Sequence, residues 1–168
     1  MQSYEAMRQA AIDAIRVAAV EAFQRVEKKS VFGFALCTDN DLGGVFHTYA
    51  TRDWVSEREP EYPGIGFIPV EWEQGYDGAP FLELSKTFFE ISQSDRHLPH
   101  AAYEKSCLTR FRILVEAMRI CRDEGLFDPN TLLCVGGTDP EAILVEWTCH
   151  AARYLNKAEI AEEYCRTI

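Results

Sequence analysis

The sequence lacks the features that would place the chain in a membrane or a secretory pathway. No apolar run approaches the roughly 20 residues that a bilayer-spanning helix needs. The amino-terminal segment MQSYEAMRQAAIDAIR mixes charges into its apolar positions, where a signal peptide has an unbroken apolar block. Six cysteines are present, but they form no CxxC pair, and most lie in apolar patterns that favour reduced, buried thiols. We therefore expect a cytoplasmic protein.

Basic residues are too few for a nucleic-acid or anionic-membrane surface. The 168 residues include 17 Lys and Arg against 27 Asp and Glu, a formal net charge of −10. Nucleic acids and anionic lipids are bound by clustered Lys and Arg. The composition therefore predicts no nucleic-acid partner and no membrane partner. It suits a basic protein partner, although net acidity also serves to keep a protein in solution.

Familiar catalytic and metal-binding motifs are missing as well. The sequence contains no GxSxG and no GxGxxG. The acidic turn DNDLGG resembles the start of an EF-hand loop, but Ala50 stands where position twelve requires a bidentate Glu. His97 and His100 straddle Pro99, so they cannot adopt the helical geometry of a HExxH zinc site. We expect neither a metal nor a cofactor.

The stretch VFGFALCTDNDLGGVFHTYA, residues 31–50, predicts an antiparallel hairpin. Two β-prone runs flank a turn of Asp, Asn and Gly, residues that tolerate positive φ or bond their own backbone. The first run is apolar on both faces, so both faces must be covered. Alternation places Phe32, Phe34 and Leu36 on one face and small residues on the other. A third strand is predicted near 131–136, in the run LLCV.

Amphipathic helices are predicted before and after the hairpin. Apolar residues recur at steps of three and four over 3–28, with Ser3 as the N-cap, and over 99–124, with Gly125 ending the helix. Shorter helical segments are predicted at 69–72, at 81–92, from Asp139 and Pro140 to about Asn156, and at 157–166. The expected fold is a single α+β domain over 1–168, a small mostly antiparallel sheet covered by long amphipathic helices.

Carboxylates and aromatic side chains are concentrated between residues 53 and 90. This segment holds nine Asp or Glu and two basic residues, with prolines and glycines that interrupt regular elements. Aromatic residues are enriched at interfaces, and opposite charge speeds association. The residues expected to bind a partner are Trp54, Glu57, Glu59, Glu61, Glu71, Trp72, Glu73 and Asp77. The other interpretation is an irregular cover whose aromatic residues face the core.

A histidine beside the acidic turn offers an enzymatic alternative. His47 follows Asp39 and Asp41 closely in sequence, and a neighbouring carboxylate would raise its pKa. The corresponding protein would be a small hydrolase-like enzyme that uses His47 with one of these carboxylates. A structural histidine in a strand explains the same residue. A third interpretation is a structural module that self-associates through exposed helix faces.

Four short motifs follow one another along the chain. They are the strand from Phe32 to Asp39, then Pro69-Val70-Glu71-Trp72, then Gly125-Leu126-Phe127, and then Leu155-Asn156. In this order they resemble an uncharacterised bacterial family known as domain of unknown function 4303. The chain departs from that family's pattern at Gly33 and Cys37, where a more aromatic or hydroxylated run is expected.

The resemblance implies no activity and no catalytic residues, because none is established for that family. Its members are similar in size, acidity and setting to the small immunity-type proteins that bacteria keep beside contact-dependent or secreted toxins. The leading expectation is a non-enzymatic cytoplasmic binding protein of the immunity type. It would neutralise a basic toxin or enzyme through an acidic surface that contains aromatic residues.

Overall fold

A four-stranded mixed sheet lies at the centre of the fold. The computed structural model describes residues 3–138 and 141–168, without the side chains of Tyr76, Asp77 and Ala142. The strands are β1 (Val31–Thr38), β2 (Val45–Thr51), β3 (Gln74–Asp77) and β4 (Leu132–Gly137), in the order β3-β2-β1-β4 across the sheet. β2 pairs antiparallel with β1 and β3, whereas β4 runs parallel to β1. The expected α+β class is confirmed.

Helices cover both faces of this sheet. The α-helices of the described residues are α1 (Tyr4–Arg25), α2 (Arg52–Arg58), α3 (Leu82–Asp95), α4 (His100–Asp123), α5 (Ala142–Leu155) and α6 (Ala158–Thr167). Short 3-10 helices lie at Lys28–Ser30, Ile65–Phe67, Pro69–Glu71 and Ala79–Phe81. Helices α1, α3 and α4 pack on one face of the sheet, and α2 and α6 pack on the other. Helix α5 contributes side chains to both cores.

Two of the predicted helix ends are confirmed by their hydrogen bonds. The Ser3 side chain accepts a hydrogen bond from the Ala6 N–H at 3.2 Å and so begins α1. Gly125, at φ +76°, follows the end of α4. Its N–H bonds the Arg122 carbonyl, and the next N–H bonds the carbonyl of Cys121, as in a Schellman motif. These local sequence signals therefore fix the beginning of α1 and the end of α4.

The larger core lies between the sheet and helices α1, α3 and α4. Phe34 and Leu36 project from β1 into this core, as alternation predicts. Many of the side chains that α1 buries are alanines, which let α1 approach α4 closely. The buried residues of α1 are Met7, Ala11, Ile12, Ala14, Ile15, Ala18, Ala19 and Ala22.

The smaller core lies on the opposite face of the sheet. One residue of β1 packs there although strand alternation predicts that it faces the larger core. Phe32 packs against this smaller core, where its ring meets Phe67 at 5.8 Å between centroids. The cause is a register shift between Val31 and Gly33 in the pairing of β1 with β2. A bulge of this kind turns two successive residues to the same face. The prediction that Phe32 shares a face with Phe34 was therefore wrong.

The segment between β2 and α3 contains more regular structure than its prolines and glycines suggest. Helix α2 and strand β3 both lie there, and neither was predicted, whereas the helical turn that begins at Pro69 was. Asp139 and Pro140, the predicted start of a helix, lie outside the described residues, and α5 has Glu141 as its N-cap. All six cysteines are free thiols. Within the described ranges, no helix combines the length and apolar character of a bilayer span.

Candidate protein-binding surface

Helix α2 presents the first carboxylates of the candidate surface. The Thr51 side chain accepts a hydrogen bond from the Trp54 N–H at 3.2 Å, so the helix begins directly where β2 ends. Trp54 faces the sheet, whereas Asp53 and Glu57 are exposed to solvent. The cap therefore holds two carboxylates outward on a short helix that is anchored by a buried indole.

The two tryptophans expected at the binding surface belong to the core instead. Trp72 has no exposed surface, and Trp54 is 8 % exposed. The Trp72 indole lies against Gly33 of β1, because this strand offers a small residue there and leaves space for the ring. Neither tryptophan can serve as an aromatic anchor for a partner. Tyr62, which is 55 % exposed, is an aromatic side chain that this segment does present.

The expected glutamates lie at the surface, but two of them have internal partners. Both carboxylate oxygens of Glu73 accept hydrogen bonds from the Arg58 guanidinium at 2.9 Å, which holds the pKa of Glu73 below its usual range. Arg58 also stacks 4.7 Å from the centre of the Trp54 ring. Glu59 accepts a hydrogen bond from the Gly64 N–H at 2.7 Å. These contacts order the segment and neutralise part of its charge.

The remaining carboxylates of this surface differ from Glu73 in their ion pairing. In residues 3–138 and 141–168, no Lys, Arg or His forms an ion pair with Asp53, Glu57, Glu61 or Glu71. All four are exposed. We call the surface formed by Asp53, Glu57, Glu59, Glu61, Glu71 and Glu73 the acidic flank. The side chain of Asp77, also expected here, lies outside the described part of the chain.

The opposite side of the molecule has a different charge balance. Its arginines pair with carboxylates across the α1–α4 interface, as in Arg8 with Glu116 at 3.2 Å and Arg16 with Glu124 at 2.8 Å. Helix α1 carries three acidic and three basic residues, and α4 carries three acidic and five basic ones. Between residues 52 and 78, in contrast, seven carboxylates face two arginines. Negative charge is therefore concentrated on one side of the sheet.

Helix α6 extends the same side of the molecule, which sequence reasoning did not foresee. The Tyr164 ring of α6 lies 6.5 Å from the Phe67 ring, beside the segment that carries the flank. Glu159 and Glu163 are exposed on this helix, and Glu162 pairs with Arg153 at 2.7 Å. The amphipathic pattern of α6 is readable in the sequence. Its position beside the flank is not, because the contacting residues are far apart in the chain.

His47 is a core residue in this structure. It is 2 % exposed and stacks on Phe34 at 5.5 Å, with Phe81 at 6.0 Å. The Asp39 carboxylate accepts a hydrogen bond from the Gly43 N–H at 2.7 Å, and Asp41 accepts one from a tyrosine hydroxyl. Two cavities contain these carboxylates, and His47 lines neither of them. Within the described residues, His47 therefore shares no cavity with Asp39 or Asp41.

The described residues also contain no group of three or more His, Cys, Asp or Glu that could hold a metal ion. Fold and surface together define an α+β domain with a mixed sheet between helical layers and an acidic side. The chain belongs to the family described as Domain of unknown function (DUF4303), whose model matches residues 12–157. No curated protein and no solved structure matches the chain.

Proposed function

We propose that this protein is a non-enzymatic binding protein of the immunity type that acts in the cytoplasm. Its acidic flank covers a basic partner protein, a toxin or an enzyme, and neutralises it. The observation that carries this proposal is the set of four exposed carboxylates without an ion-pair partner, Asp53, Glu57, Glu61 and Glu71. On the opposite side of the molecule, arginines and carboxylates pair across α1 and α4.

Two physical effects support recognition of a basic surface by this flank. Concentrated negative charge raises the rate of encounter with a positive partner and orients it during approach. A carboxylate that is already exposed also loses no internal ion pair when it meets a Lys or Arg of the partner. Tyr62 adds an exposed aromatic ring beside Glu61, a residue type that contributes strongly to affinity in interfaces.

The decisive experiment is affinity capture from the native organism with three forms of the protein. The first is the wild type, and the second is the flank variant Glu57→Lys, Glu61→Lys and Glu71→Lys. The third reverses three carboxylates on helices of the opposite side, and it makes the same change in net charge. Its substitutions are Glu21→Lys, Glu90→Lys and Glu104→Lys, at positions without an ion pair in the described residues.

The proposal requires that the wild type and the control variant capture the same basic protein and that the flank variant does not. The purified pair should then associate at a rate that falls with added salt, and the flank variant should associate at least about tenfold more slowly. The captured protein should also be toxic when expressed alone and harmless when co-expressed with the wild type. Equal capture by the two triple variants, or an acidic partner, would contradict the proposal.

A further inference from the structure

A cavity lies at the carboxyl ends of the two parallel strands, and none of the flank carboxylates lines it. It has a volume of about 240 Å³ and is bounded by the end of β1 at Cys37, the end of β4 at Gly136, and residues of α5 and α6. The 3-10 helix at Pro69–Glu71 contributes part of its wall. In open sheets with helices on both faces, ligands bind at this edge, where the chain leaves adjacent parallel strands in different directions.

The cavity is open because β4 ends in glycine. A Cβ at Gly136 would lie 3.3 Å from Oγ1 and 3.4 Å from Cγ2 of Thr148, so even a methyl group there would occupy space beside this threonine. Opposite, α5 and α6 place Val145 and Tyr164 in the wall. A cavity of about 150 Å³ is sufficient to hold benzene. The larger volume here therefore suits a molecule of about ten non-hydrogen atoms.

The side chains that line the cavity determine the polarity of a ligand. Among the described residues that line it, none has a charged side chain. Burial raises the pKa of the Cys37 thiol to about 12, and burial raises the pKa of the Tyr164 phenol well above its usual value, so both stay neutral near pH 7. An ionic ligand would find no counter-charge from these side chains and would lose its hydration.

One polar group in the wall has no hydrogen-bond partner. Thr148 of α5 is 4 % exposed, and no described residue bonds its Oγ1 atom. Buried hydroxyl groups are nearly always hydrogen-bonded, because leaving one unpaired loses its interaction with water without a replacement. A ligand oxygen in the cavity would supply the missing partner.

We propose that this cavity binds an uncharged, mainly apolar molecule of about ten non-hydrogen atoms whose carbonyl or hydroxyl oxygen accepts a hydrogen bond from the Thr148 hydroxyl. None of the flank carboxylates lines the site, and binding there does not depend on a protein partner. Its apolar walls supply most of the affinity, and Thr148 selects for an oxygen.

Three probes of nearly equal shape test the proposal with the full chain. 1-Indanone carries a carbonyl, indane carries no polar group, and 1-aminoindane is cationic near pH 7. Isothermal titration calorimetry should show saturable binding of one 1-indanone per chain, weaker binding of indane and weaker binding still of the amine. Absence of saturable 1-indanone binding, or tighter binding of the amine, would overturn the proposal.

Variants then locate the site. Thr148→Val keeps the shape of the side chain but removes the hydroxyl, so it should weaken 1-indanone binding about fivefold and leave indane binding unchanged. Val145→Phe should abolish binding of both probes by filling the cavity, whereas Val20→Phe, at an exposed position of α1, should change neither. Gly136→Ala narrows the same space with a smaller change and serves if Val145→Phe does not fold. Unchanged affinity in the cavity variants would overturn the assignment.

Discussion

Gly33 of β1 and Trp72 pack so closely that a Cβ at position 33 would overlap the Cη2 atom of the indole. The Cζ2 and Cζ3 atoms of the ring would lie 2.9 and 3.0 Å from that Cβ. Trp72 belongs to a motif that resembles the family, whereas Gly33 is a position where the chain departs from the family's pattern, and in the structure the two residues touch. The same contact explains why Trp72 is buried and why the flank carries its carboxylates on a segment fixed to the sheet.

Gly33→Ala should destabilise the fold by about 1–3 kcal/mol, because the added methyl group displaces a fully buried indole. Urea denaturation followed by circular dichroism measures this change in the free energy of unfolding. Gly44→Ala is the matched control, since its Cβ would make only an ordinary contact at 3.8 Å with Asp39, and it should stay within about 0.5 kcal/mol of the wild type.

A double variant tests the assigned cause. If the new methyl group collides with the indole, Gly33→Ala should lower the free energy of unfolding by less in a Trp72→Leu background than in the wild type, where the ring is intact. An equal loss of stability in both backgrounds would show that the contact between these two residues does not determine the effect.

Asn156→Ala should destabilise the fold by about 1–3 kcal/mol, because it removes two hydrogen bonds from the edge strand β4. The Asn156 side chain accepts from the Leu133 N–H and donates to the Leu133 carbonyl, both at 2.8 Å, as a neighbouring strand would. Hydrogen exchange of the Leu133 amide should accelerate in this variant. Asn40→Ala, at an exposed turn position, makes the same chemical change and should affect neither the stability nor the exchange rate of the Leu133 amide. An unchanged exchange rate of this amide in Asn156→Ala would contradict the assignment.

Glu73 should remain ionised to lower pH than an ordinary glutamate. The Arg58 guanidinium lowers the pKa of Glu73, so the stabilisation from this pair is present above the pKa of the unfolded chain and is lost as pH falls through the lower folded pKa. Carboxyl-carbon NMR titration measures this group. Arg58→Gln should raise the pKa of Glu73 toward its ordinary range. The effect on stability should be small, because the Glu73 side chain is exposed.

Cys37 should react slowly with iodoacetamide in the native protein at pH 8. Burial raises the pKa of its thiol to about 12, so little thiolate is present at that pH. Mass spectrometry after brief labelling should find Cys149, which is only half-buried, modified before Cys37. Unfolding in guanidinium should remove the difference, and equal native rates would contradict the buried position of Cys37.

The helix ends and the hairpin could be predicted because their signals are local. Ser3 and Gly125 act on backbone groups within a few residues of themselves, and the turn between β1 and β2 has its own residue types. Strand β3 was missed because its four residues are held by pairing with β2, which no short window of sequence contains. Helix α2 was missed because the prolines and glycines that follow it argued against regular elements, and Thr51, just after the predicted hairpin, was not recognised as a cap.

The candidate surface could be predicted only in part. Glutamates are placed at the surface by the cost of burying their charge, so Glu57, Glu61 and Glu71 lie where the sequence indicates. An aromatic residue in a loop can face either way. Trp72 faces inward because a bulged strand with a glycine lies beneath it, and the pairing of Arg58 with Glu73 joins residues that are 15 positions apart.

Residue chemistry alone accounts for the α+β class, the start of α1, the end of α4, the excess of negative charge and its concentration between residues 53 and 90. Each of these depends on composition or on neighbours a few positions away. The parallel pairing of β4 with β1, the burial of Trp72, the place of α6 beside the flank and the cavity at Thr148 required the folded chain. Their free energies come from packing between distant segments, and hydrophobic periodicity specifies which face of an element is buried but not which element covers it.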